Sequence, residues 1–81
     1  MLREEACWLA ARLRSWPCDR GVVVNIGSSS GAFRSETQPW IDELVFAPAR
    51  ARGLSIVHQD LFPAPGVDVA GDLRTAARLG A

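Results

Sequence analysis

The chain has 81 residues, enough for one small domain with a thin core. Nine basic and nine acidic side chains cancel to a net charge of +0, so charge gives no signal for nucleic acid or an anionic membrane as a partner. Every basic residue is arginine, which beside the many alanines reads as a coding bias. No apolar stretch reaches the length of a membrane span. Arg3, Glu4 and Glu5 followed by an amphipathic pattern do not make a signal peptide, and a cytoplasmic location is the expectation. Cys7 and Cys18, with His58 as the single histidine, are too few ligands for a metal site and read as buried or idle thiols.

Residues 2–15 have helical periodicity, with Leu2, Ala6, Leu9 and Leu13 on one face and Cys7 and Trp8 beside it. Trp16-Pro17 ends this helix, because the residue before proline disfavours the helical region. Residues 22–27 form the first strand. Its unbroken run Val22-Val23-Val24-Asn25-Ile26 suits a strand covered on both faces. Gly27-Ser28-Ser29-Ser30-Gly31 follows directly, and the loop extends over 28–35. Small residues there let the backbone turn sharply and approach a ligand closely.

Thr37-Gln38-Pro39 opens a second helix with Thr37 as N-cap. Trp40, Ile41, Leu44 and Val45 form its buried stripe, Pro48 interrupts it, and Gly53 stops it. Residues 54–58 form a second strand ending at Gln59-Asp60. Pro63, Pro65 and Gly66 make a rigid loop, 67–70 a short third strand closed by Gly71-Asp72, and 73–79 a third helix. Alternating helices and strands point to a parallel α/β sheet.

A Gly/Ser loop after the first strand, Asp60 after the second and Asp72 after the third line up along this pattern. From Val22 to Leu73, the stretches Val24-Asn25-Ile26-Gly27-Ser28-Ser29-Ser30-Gly31, Gln38-Pro39-Trp40-Ile41-Asp42-Glu43-Leu44, and Val57-His58-Gln59-Asp60 through Pro65-Gly66-Val67-Asp68-Val69-Ala70-Gly71-Asp72-Leu73 resemble the front half of a class I S-adenosylmethionine-dependent methyltransferase of the type 11 kind. The resemblance implies the N-terminal half of a Rossmann-like, doubly wound parallel sheet, with three strands in the order 3-2-1 and flanking helices. It implies one partial domain over 1–81, truncated before a fourth strand and lacking the catalytic and acceptor-binding half.

The resemblance also implies a cofactor, S-adenosylmethionine, and a set of contacts to it. Gly27, Ser29 and Gly31 would pack against its methionine portion and ribose, and Asp60 would accept from the ribose hydroxyls. Asp72 would accept from the adenine amino group, with the Leu73 amide beside it. Two positions depart from the family pattern. Asn25 stands where an acid is usual, and Ser29 stands for the middle glycine. A positive φ at Ser29 would cost roughly 1 kcal/mol or more.

The same residues have plain structural readings. Gly27 and Gly31 suit a tight turn, Asp60 a surface loop, Asp72 a helix cap, and Arg34 the surface. Two other functional readings stand beside the methyltransferase. Gly27-x-Ser29-x-x-Ala32 fits a dinucleotide fingerprint apart from its middle glycine, with Asp60 later than the acid expected about 20 residues on. Alternatively, the chain is a non-catalytic module that self-associates through an open first strand.

Overall fold

The structure is a computed structural model and describes residues 1–17, 19–72 and 74. Helix α1 spans Arg3–Arg14. Glu4 and Glu5 in its first turn and Arg12 and Arg14 in its last complement the helix dipole. The Leu2 amide donates to Glu5 Oε1 at 2.8 Å, one arm of a capping box. Ala6 and Ala10 are buried, with Leu9 and Leu13 half-buried, but Leu2 and Trp8 face solvent. Leu2 flanks the first turn, so it cannot join the buried stripe expected of it. Cys7 is an exposed free thiol, and Cys18 lies outside the described residues.

Strand β1 is Val22–Ile26, β2 is Ser55–Asp60 and β3 is Val69–Ala70. All pair in parallel, in the order β1-β2-β3, with β2 in the middle. The sequence-based order of 3-2-1 names the same neighbours counted from the opposite edge. The register sets Ile26 beside Gln59, and Gln59 and Asp60 beside Val69 and Ala70. The carboxyl ends of all three strands therefore lie together.

The connection between β1 and β2 is more helical than the sequence implies. Ser30 Oγ accepts from the Phe33 amide at 3.1 Å, which caps a helical turn beginning at Gly31. The loop therefore stops at Ser30 rather than Ser35. Residues Phe33–Thr37 widen into a π-helical turn, so Thr37 lies inside it and is not the cap of the next helix. That helix starts at Trp40, passes through a second π-helical turn at Asp42–Phe46, and ends as α2, Ala47–Ala51.

The widened turn explains how Pro48 is carried without a break. The Ala47 amide bonds back to the Asp42 carbonyl, five residues earlier, which makes room in front of a ring that can donate nothing. Gly53, at φ 100, then closes α2. Its amide donates to Arg50 O at 2.9 Å and the Leu54 amide to Ala49 O at 3.1 Å, the two bonds of a Schellman motif.

The core is Ala6, Ile41, Val45 and Phe46, packed against Leu9, Leu13, Phe33, Trp40, Leu44 and Ile56. Burying a phenylalanine such as Phe46 is worth about 3–5 kcal/mol against alanine. Trp40 also donates its Nε1–H to Met1 O at 3.0 Å.

This core covers one face of the sheet. The other face of β1 is bare, with Val22, Val24 and Ile26 exposed by 64, 46 and 59%. The expectation of a first strand covered on both faces does not hold among the described residues, because the packed helices lie on the Val23 and Ile56 side. The expected third helix falls outside the described residues except for Arg74. No described helix is long and apolar enough to cross a membrane.

Candidate functional site

The parallel register brings three of the sequence-predicted residues to one place. Gly27 leaves β1, Asp60 ends β2 and Asp72 follows β3. With Ile26, Gln59, Leu61 and Arg74 they line an open cleft of about 410 Å³. In open α/β sheets the crevice beyond the carboxyl ends of the strands is where ligands bind, and this volume suits a small organic molecule. Gly27 has φ 69, and a Cβ built on it would meet nothing within 4 Å.

The Asp60 carboxylate is already engaged. Oδ2 accepts from the Ser29 amide and Oδ1 from the Leu61 amide, both at 2.7 Å. Ionised carboxylates offer about four acceptor sites, so each oxygen keeps capacity for a hydroxyl donor. Asp72 Oδ1 accepts from the Arg74 amide at 2.9 Å, and Oδ2 meets Arg74 Nη2 at 3.1 Å. Its capping role and its place on the cleft wall coexist.

Ser29 sits at φ 59, the one described non-glycine residue with positive φ. Its amide is held by Asp60, and its carbonyl accepts from Arg34 Nη1 at 2.7 Å. Arg34 is only 5% exposed, not the surface side chain that its sequence context suggests. Its Nη1 also donates to Ser28 O at 3.2 Å and its Nη2 to Gly66 O at 2.7 Å. Burial lowers its pKa, and the charges of Asp42 and Asp68 oppose that shift. The guanidinium fork thus ties the first loop to the loop before β3, a geometry that lysine cannot reproduce.

Glycine makes that junction possible. The Gly31 amide donates to Pro65 O at 2.8 Å. A Cβ on Gly66, itself at φ 87, would fall 2.5 Å from Gly31 N. Gly31 therefore serves packing between loops and does not line the cleft.

Asn25 turns to the helix-covered face, where its Nδ2 lies 3.1 Å from His58 Nδ1. An amide nitrogen donates, so Nδ1 accepts and the ring proton is assigned to Nε2. His58 is buried, and Phe46 meets it edge-on at 4.9 Å between ring centres. Burial lowers its pKa, the Arg34 charge adds to the shift, and Asp68 opposes it. Asp68 is exposed as a residue, and its Oδ2 accepts from the His58 amide at 2.8 Å. Leu73, expected beside Asp72, lies outside the described residues.

Sequence reading also missed Gln59. It is 3% exposed, donates Nε2–H to Gly71 O at 2.6 Å, and accepts from the Gly27 amide through Oε1 at 3.4 Å. One side chain in the middle strand thereby fastens the loops after β1 and β3. Its one sequence signal is a polar residue at the end of an apolar strand. Among the described residues no group of three or more His, Cys, Asp or Glu could hold a metal ion. No protein-family model, curated protein or solved structure matches this chain.

Proposed function

We propose that these residues are the cofactor-holding portion of a Rossmann-like, class I S-adenosylmethionine-dependent methyltransferase. One observation carries the reading. Three parallel strands deliver Gly27, Asp60 and Asp72, the loop glycine and the two strand-end acids of the resemblance, to one cleft wall. The chemistry of that wall fits the cofactor. Two carboxylates offer acceptors to a ligand rich in hydroxyl and amino donors, and Gly27 leaves open space for close approach.

When bound, S-adenosylmethionine supplies an electrophilic methyl group on a sulfonium. Asp60 would hold the ribose and orient the donor, and Asp72 would take the adenine amino group. Methyl transfer rests chiefly on such in-line positioning. The reading assigns no catalytic base to these residues and leaves the methyl acceptor open.

The test is calorimetric titration of the folded chain with S-adenosylhomocysteine, the demethylated product. Saturable binding near one per chain is expected. Asp60→Asn keeps an acceptor for the Ser29 amide but replaces the second oxygen with a donor, and it should weaken binding at least tenfold. A chain that melts cooperatively yet binds nothing, or an unchanged affinity in Asp60→Asn, overturns the reading.

A further inference from the structure

Ser29 is flanked by two peptide groups, and one side chain holds both. Arg34 Nη1 donates to the Ser28 carbonyl at 3.2 Å and to the Ser29 carbonyl at 2.7 Å. Those two oxygens belong to the peptide planes on either side of the Ser29 Cα, and the relation between two such planes is set by φ and ψ alone. The guanidinium therefore fixes Ser29 in its left-handed conformation, at φ 59. Its other end is anchored on the loop before β3, where Nη2 donates to Gly66 O at 2.7 Å.

The first of these planes also carries the Ser29 amide. In a trans peptide the carbonyl and the N–H point in opposite directions, and no described peptide bond is cis. The amide therefore projects away from the oxygen that Arg34 holds, and it donates to Asp60 Oδ2 at 2.7 Å. A guanidinium and a carboxylate thus grip the two ends of one peptide group, and hydrogen bonds in such a chain polarise one another. We infer that Arg34 is a positioning residue for Asp60, acting through the Ser28–Ser29 peptide group.

Two amides orient the Asp60 carboxylate, Ser29 on Oδ2 and Leu61 on Oδ1. Leu61 is the next residue in the chain and travels with Asp60, so Ser29 is the one of the two that ties the carboxylate to the loop after β1. Without Arg34 the left-handed turn loses bonds that offset its strain. The Ser28–Ser29 plane is then free to rotate, and Oδ2 loses its donor. Lysine would keep the charge but has no fork to span three carbonyls. Arg34 is 5% exposed and does not line the cleft, so it acts on a ligand through Asp60 and not by touching it. That consequence for a ligand rests on the proposed cofactor function, whereas the coupling of Arg34 to Asp60 does not.

Nuclear magnetic resonance spectra of the ligand-free whole chain make the first test, comparing the wild type with Asp60→Asn, which sets a neutral and weaker acceptor before the Ser29 amide. The Ser29 amide and the Arg34 Nη protons should both shift, the second across the peptide group. Calorimetric titration with S-adenosylhomocysteine then compares the wild type, Arg34→Lys, Asp60→Asn and the double variant. Arg34→Lys should weaken binding about tenfold in the wild-type chain. Where residue 60 is already Asn it should cost less than about twofold, because both changes break one linkage. Equal losses in the two backgrounds, the mark of a merely structural arginine, overturn the inference, as does no loss in either. Arg34 protons that Asp60→Asn leaves unmoved also overturn it, and that result stands even where Arg34→Lys does not fold. A folded wild type that binds nothing overturns the cofactor reading alone, because the spectra need no ligand.

Discussion

The Asp60 carboxylate holds the Ser29 amide at 2.7 Å, and Ser29 is the residue that the loop bends into positive φ. The acid that the resemblance assigns to a ribose thus has a second duty in the described structure. It stabilises a strained turn from below, while Arg34 takes the carbonyl of the same residue at 2.7 Å. Under the proposed function, loop shape and ligand binding would be coupled through this one side chain.

Ser29→Gly should therefore stabilise the chain. The left-handed conformation costs a non-glycine residue about 1–2 kcal/mol, and the added freedom of glycine in the unfolded chain returns part of that. A net gain below about 1 kcal/mol is expected, read as a raised denaturant midpoint with an unchanged slope. Ser29→Val, branched at Cβ in the same conformation, should shift the midpoint the other way.

Gly66→Ala should be among the most damaging single-methyl substitutions available here. Its Cβ would meet Gly31 N at 2.5 Å and Gly31 Cα at 2.6 Å, both backbone, at a φ of 87. The two loops would have to separate and would loosen the Arg34 bond to Gly66 O. A loss above about 2 kcal/mol is expected, measured by urea unfolding. Gly27→Ala shares the positive φ but meets no atom, so it should cost less.

Stability should fall in mild acid because of His58. Its pKa is lowered in the folded chain from the ordinary value of 6.5 by burial and by Arg34. Between the lowered value and about 6.5 the unfolded chain binds a proton that the folded one refuses, so stability rises with pH there. Above about pH 7 this contribution is fully present, and it is lost as pH drops below about 6.5. Melting temperature measured from pH 7.5 down to 5.5 should decline, and His58→Gln should flatten that part of the profile.

The sequence was legible wherever structure is local. The apolar run Val22-Val23-Val24 and the run Ile56-Val57 read as strands because an apolar β-branched pattern states its preference without help. Gly53 read as a helix stop because few residues but glycine take φ 100 cheaply. The three cleft residues Gly27, Asp60 and Asp72 were legible because each sits at the end of a strand, and parallel strands in register must bring their ends together.

Tertiary structure decided the rest. Arg34 has the composition of a surface residue, yet it is buried because three carbonyls from two loops converge on its fork. Gln59 fastens two loops that are distant in sequence, and Asn25 faces a histidine rather than the cleft. Such partners depend on which faces the helices cover and on the strand register. Neither is written in any short window of sequence. The chain by itself determined its first helix, its first two strands and the cleft-forming ends. Only the packing decided which polar groups bind a loop and which line the cleft, because buried hydrogen-bonding groups take whatever partner the fold brings within reach.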